Sequence, residues 1–322
     1  MTPHVFSIPM PTRFRGVTWR EGIVLEGPAG WGEFSPFREY DDAEALAWWR
    51  AARASAEQPW PAARRSSIPV NCTVPAVDPA RAAAIVRASG CATAKVKVAE
   101  SGQDLADDLA RVEAVREALG SRGHLRIDAN GGWGVVEAAI AIATLDEAVG
   151  LEYVEQPCAT VEELATVRGE TDVLIAADES IRRADDPFRV AELEAADIAV
   201  LKVHPLGGVQ ACLRIAEQIG LPVVVSSAVD SSVGLSAGLA LAAALPELPY
   251  ACGLATTSLL GGDVVAEPLR PVAGVIPVDR PRVDPDAFAA VRADAETTRW
   301  WLERLDRVRT LDTVEPATGG AA

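Results

Sequence analysis

A chain of 322 residues with 49% hydrophobic side chains is long enough for one large α/β domain of roughly 250 residues and a small second one. Its 46 acids against 30 bases, a formal charge of −16, disfavour nucleic acid or an anionic membrane as partner. Met1–Met10 has no secretory signal pattern, Asp230 and serines interrupt the longest apolar stretch (about Leu221 to Pro246), and the five cysteines form no CxxC pair, so a cytoplasmic protein without membrane span, disulfide framework or zinc site is expected.

The opening section reads as antiparallel sheet, with strand-like runs at Arg15–Glu26 and Gly30–Pro36 around a Gly-Pro-Ala-Gly turn. A helix is expected from about Asp41 to Glu57, with acids in its first turn as the helix dipole prefers. Gln58-Pro59-Trp60-Pro61 then breaks the chain, and residues 1–66 form a candidate capping domain. Eight apolar runs follow: Ile68–Thr73, Thr93–Val98, His124–Ile127, Leu151–Val154, Val173–Ala177, Ile198–Val203, Leu221–Val225 and Tyr250–Ala255. Amphipathic helices lie between them, the clearest being Leu105–Leu119 with Leu105, Leu109, Val112 and Leu119 on one face. Gly90, Gly120, Gly150 and Gly220 stand where such helices should stop. Continuous apolar strands alternating with helices predict a parallel sheet buried on both faces, closed as a (β/α)8-type barrel over residues 67–284. Asp284–Leu311 reads as one or two helices, anchored by Trp300, Trp301 and Leu305, which return to complete the α+β cap (285–322); Thr313–Ala322 reads as a loose tail.

Along this frame Asn71, Lys97, Asp128, Glu155, Asp178, Lys202 and Ser226 recur at steps of 23 to 31 residues, about one strand–helix unit each. Any one acid at a strand end is more often a helix cap than a ligand. Three on consecutive strands repel one another and call for a cation, and all-oxygen ligation favours Mg²⁺, or Mn²⁺ by the same chemistry. Lys95 and Lys97, two apart on a strand, share a face, and mutual repulsion with burial is expected to depress their pKa toward a neutral amine base. Lys202 approaches the acids from the other side. Arg126 is a candidate partner for the carboxylates, and Asn130 either a loop cap or a site contact. Ser226, Ser227, Ser231 and Ser232 offer hydroxyls to a carboxylate, or simply cap a helix. His4, His124 and His204 fit no catalytic position and read as structural, and neither nucleotide fingerprint is present.

Lys95-Val-Lys97, Asp128-Ala-Asn130, Glu155-Gln-Pro157, Asp178-Glu-Ser180 and Leu201-Lys202, with Gly30-Trp-Gly-Glu-Phe-Ser-Pro36, together resemble the enolase superfamily. The likeness is to its muconate-lactonizing-enzyme-like subgroup and runs over essentially the whole chain. It implies Mg²⁺ on Asp128, Glu155 and Asp178, Lys97 as the base that removes a proton α to a substrate carboxylate, and Lys202 as a charged stabiliser. It also makes Lys95, Arg126, Asn130, Ser231, Ser232 and Gly253 candidates for substrate or supporting contacts, and Arg13–Arg15 a mobile loop of the cap. The implied partner is a small carboxylate, with oligomeric state left open. The implied activity is a lyase that dehydrates a cyclohexadiene carboxylate to an aromatic product, with an N-acylamino acid racemase or muconate-type cycloisomerase as the alternative. Val203-His204-Pro205 departs from relatives with proline directly after the second lysine. Gly253-Leu-Ala-Thr256 lacks the paired aspartates of dipeptide epimerases, and the seventh strand lacks the histidine of the mandelate-racemase subgroup.

Overall fold

The computed structural model describes residues 1–14, 16–184 and 186–314. Arg15, part of the expected mobile loop, and the tail beyond 314 lie outside the described residues. Strands β1 (Pro3–Phe14), β2 (Val17–Gly27) and β3 (Gly30–Phe34) form an antiparallel sheet in that order. β1 is absent from the sequence expectation because Pro3, Pro9 and Pro11 weaken its strand pattern; as an edge strand it tolerates them. Helix α1 (Asp42–Glu57) starts where the Asp41 carboxylate accepts the Glu44 N–H at 2.8 Å. It lies so close to β3 that a Cβ on Gly32 would fall 2.0 Å from the Ala52 carbonyl oxygen. Only glycine fits there.

The barrel section runs β4 (Ser67–Pro69), β5 (Cys72–Val74), α2 (Pro79–Ser89), β6 (Thr93–Lys97), α3 (Leu105–Leu119), β7 (His124–Asp128), α4 (Val135–Val149), β8 (Tyr153–Glu155) and α5 (Val161–Glu170). It continues through β9 (Ile175–Ala177), α6 (Glu179–Arg182), α7 (Arg189–Glu192), β10 (Ile198–Lys202), α8 (Val209–Ile219), β11 (Val223–Ser226) and α9 (Ser232–Ala244). β5 to β11 pair in parallel in sequence order as a seven-stranded sheet. The curl closes through single parallel bridges, Ser226 with Gly253 and Val70 with Cys252. The expected eighth strand is thus reduced to two bridging residues before a 3₁₀ turn at Ala255–Leu259. The expected first strand is also split: β4 leaves the barrel to pair antiparallel with β12 (Val275–Pro277), and Asn71 sits at the entry to β5 rather than at its functional end.

Helices α10 (Pro285–Ala290) and α11 (Ala295–Val314) return to the cap, where Trp301, Leu305 and Val308 share one apolar cluster with Phe34, Trp48 and Ala52. A separate cluster joins Phe6 and Ile8 of β1 to Val229 and Val233 of the barrel section. All five cysteines are free and buried. Among the described residues no helix is long and apolar enough to cross a membrane.

Candidate active site

Parallel register brings the charged strand ends together: Lys97 pairs with Asp128, and Asp128 with Glu155, on adjacent strands. Alternation on β6 turns Lys95 and Lys97 to the same side. Lys95 Nζ lies 3.0 Å from Asp128 Oδ2 and 2.6 Å from Glu155 Oε2. Lys97 Nζ donates to Asp128 Oδ2 at 2.5 Å and also to Asn130 Oδ1. Across the row Lys202 Nζ donates to Asp178 Oδ2 at 2.6 Å, while Arg182 Nε holds Asp178 Oδ1 at 2.9 Å. All of these side chains are buried except Asn130, which is half-buried.

Burial alone would raise the pKa of every acid here. For Asp128 the ammonium groups of Lys95 and Lys97 win and hold it well below the carboxylate range; for Asp178 Arg182 and Lys202 do the same. Glu155 goes the other way, pushed up to about 7 by burial and by Asp128 against the opposing pull of Lys95. Lys95 corrects the sequence expectation. Burial does lower its pKa, but Asp128 and Glu155 outweigh that and raise it, so Lys95 is a locked cation and not a neutral amine.

The donor set suits a hard dication: three buried carboxylates on successive strands, one short of positive charge, with Glu155 Oε1 buried and lacking a hydrogen-bond partner. As placed, Asp128 Oδ2, Glu155 Oε2 and both oxygens of Asp178 turn to ammonium and guanidinium groups, Asp128 Oδ1 accepts the Asn130 backbone N–H at 3.1 Å, and among the described residues no three acidic, histidine or cysteine side chains converge on one point.

A cavity of about 20 Å³ opens on this row, roofed by Phe14 and Phe37 from the cap and walled by Ser226, Ser227, Ala228, Val229 and Gly253. That is room for a water. Several sequence candidates fall elsewhere. Arg126 does not hydrogen-bond to the carboxylates: it is fully buried deeper in the barrel, bound to Glu152, Asn71, Tyr153 and the Ala251 carbonyl. Ser231 and Ser232 also turn away from the row, and Ser231 caps α9, accepting the Val233 N–H. Ser231 Oγ donates to Glu33 and Ser232 Oγ to Asp263 at 2.7 Å, and both lie outside the cavity lining. They start α9 at the junction with the cap, where backbone N–H groups need acceptors.

Three residues with clear roles have no part in the sequence reading. Gln156 Oε1 accepts from the backbone of Asp178 at 3.0 Å and Ser180 at 3.1 Å, tying two strand ends. Arg182 reaches both Asp178 and Tyr40 of the cap. Its only sequence signal is the four-residue spacing from Asp178. Phe37 carries none.

A buried carboxylate row flanked by lysines at the strand ends of a capped barrel defines a class of charged barrel-end sites, and the family comparison identifies the fold that carries it. Residues 78–286 match the family described as enolase C-terminal domain-like and residues 5–56 that described as enolase N-terminal domain-like, so the chain belongs to the enolase superfamily. It is 62% identical over 309 residues to the o-succinylbenzoate synthase of Thermobifida fusca, covering 96% of each chain. The o-succinylbenzoate synthase of Mycolicibacterium smegmatis is 55% identical over 94% of this chain and 93% of its own. Among solved structures, muconate lactonizing enzyme from Pseudomonas fluorescens superposes with a TM-score of 0.77 at 20% identity, covering 90% of this chain and 98% of that one. An N-succinyl Arg/Lys racemase from Bacillus cereus gives 0.76 at 21% identity, over 91% and 97%. These last two likenesses are of fold.

Proposed function

We propose that the chain catalyses the Mg²⁺-dependent dehydration of 2-succinyl-6-hydroxy-2,4-cyclohexadiene-1-carboxylate to 2-succinylbenzoate, a cytoplasmic step of menaquinone biosynthesis. The observation that carries this reading is the 62% identity to a synthase over 96% of both chains. Asp128, Glu155 and Asp178 would hold the ion, which when bound supplies positive charge against the negative charge that develops on the substrate carboxylate.

Lys97 Nζ, an ammonium beside Asp128 in the resting site, would first release its proton to solvent and then, as the amine, take the proton α to that carboxylate. The carbon–oxygen bond on the same face then breaks as the ring becomes aromatic. The proton carried by Lys97 leaves with the hydroxide as water, a syn elimination that restores the amine. Asn130 aims Lys97, its side-chain oxygen accepting from Nζ while its nitrogen donates to Glu179 at 3.1 Å. Lys202 stays beside Asp178 as an ammonium and faces the developing charge. Aromatisation drives the elimination, so no second base is required.

The test mixes purified protein, Mg²⁺ and the diene and follows ultraviolet absorbance, with an EDTA control. Lys97→Ala should lower turnover by about 10³-fold or more, at the upper end for loss of a general base; substantial dehydration by that variant would overturn the mechanism. A second reading, an N-acylamino acid racemase or muconate-type cycloisomerase, draws on one observation: Lys97 and Lys202 line the same cavity, as two-base racemisation needs. Lys202→Arg keeps the charge but gives up reversible proton transfer, so it should harm racemisation far more than dehydration.

A further inference from the structure

Cap and barrel meet at a second buried cluster of charge, built from Arg20, Glu33, His204 and Asp230. Arg20 is 2% exposed, and its guanidinium faces in several directions at once. Nε donates to the Val229 carbonyl at 3.0 Å, Nη2 donates to Ser35 Oγ at 2.9 Å and lies 3.9 Å from Asp230 Oδ1. The guanidinium carbon also stands 4.6 Å from the centre of the Phe37 ring. Arg20 therefore grips both the roof and one wall of the cavity over the carboxylate row, because Phe37 and Val229 both line it.

The wall it holds is strained. Val229 has φ +62°, a conformation that a β-branched residue adopts only when its surroundings impose it. Local bonds shape the turn: Ser227 Oγ accepts the Val229 N–H at 3.0 Å, and Asp230 Oδ2 accepts the Ala228 N–H at 3.2 Å. His204 backs Asp230 from 3.5 Å and is stacked on Trp48 of α1. An arginine is not needed merely to join the two parts, since the apolar cluster of Phe6, Ile8, Val229 and Val233 already does so. A buried guanidinium is costly unless its bonds serve geometry.

We infer that Arg20 is a positioning residue: backed by Asp230 and His204, it sets the Ala228–Val229 wall and the Phe37 roof in one arrangement and so fixes the shape of the pocket that receives the substrate. The inference rests on the reading of that cavity as the substrate site. Arg20→Met should raise KM for the diene tenfold or more, with kcat within about threefold of wild type. Deuterium exchange should rise at Ala228–Asp230 while the interior of α9 stays protected. Adding Val229→Gly, which takes positive φ without strain, should recover at least half of the KM change on a logarithmic scale. Arg20→Lys serves if the methionine variant does not fold, since it keeps the charge but cannot bridge Ser35 and Val229 together. A KM within twofold of wild type in the folded variant overturns the inference, as does a fall in kcat at constant KM. If the wild type does not convert the diene, the functional reading fails on its own. The exchange then decides: selective loosening of 228–230 supports the clasp, and unchanged or uniform exchange overturns it.

Discussion

Gly253 stands where the barrel closes, and a Cβ built on it falls 2.5 Å from Ser226 Oγ. Gly253→Ala must therefore push the serine hydroxyl, which lines the cavity, out of place. The backbone of Gly253 is not in a left-handed conformation, so the alanine variant should fold with a near wild-type Tm. Its kcat/KM should drop by about tenfold or more, because small displacements in a preorganised site are expensive. Steady-state kinetics beside a thermal melt separates the two effects. Sequence reasoning could nominate Gly253 but not explain it, since the neighbour it protects lies on another strand. The same limit shows at Lys95 and Arg126, each two residues before a functional strand end. On alternation alone they are equivalent, yet Lys95 binds Asp128 and Glu155 while Arg126 turns toward Glu152 and Asn71. Which layer a long side chain reaches depends on what fills the barrel interior.

Between elements, the segments after β10 and β11 press against α1 and β2 through charged groups, which makes their packing sensitive to pH. Burial disfavours protonated His204, but Asp230 and Glu33 outweigh it and raise its pKa despite the opposing Arg20. Trp48, the other face of the imidazole, does not titrate. A raised histidine pKa contributes stability that is fully present below the unfolded value of about 6.5 and is lost as pH rises through the folded value. Glu33, raised by burial and by Asp230, adds a loss with the same sign above the ordinary carboxylate range. Asp230 is held at about 2 by His204 and Arg20 against burial, so its contribution disappears only in strong acid. The Tm should therefore decline as pH rises from 6.5 to 9, and His204→Gln should flatten that slope; an unaltered slope would remove His204 as its source. Elements with local signals were legible. α3 runs over Leu105–Leu119 as its periodicity requires, opened by a capping box at Asp104 and closed at Gly120 with φ +73°. The split of the first barrel strand was not, because β4 and β5 are both apolar and the partner that draws β4 away, β12, lies about two hundred residues later.

For the whole molecule, the question is whether the fold depends on the proposed Mg²⁺. Lys95, Lys97, Lys202 and Arg182 already neutralise much of the carboxylate row, so the metal-free chain has the charge balance to fold. A cation that binds only the folded state then adds stability by mass action, about 2.7 kcal/mol at a hundred times its Kd. At about 1.5 °C per kcal/mol for a chain of this size, saturating Mg²⁺ should raise the Tm by about 4 °C, reversed by EDTA. Glu155 is the informative position. Its carboxyl, pushed up to about 7, is the acid least well served by the surrounding cations, and one of its oxygens has no hydrogen-bond partner. Glu155→Gln removes the charge but leaves Lys95 paired with Asp128 at 3.0 Å. The variant should melt within a few degrees of the metal-free wild type and lose the Mg²⁺-induced rise. Calorimetry with and without Mg²⁺ decides it: a full Mg²⁺ shift in Glu155→Gln would take Glu155 out of the metal site, and a collapse of the metal-free melt would mean that its pairing with Lys95 is structural.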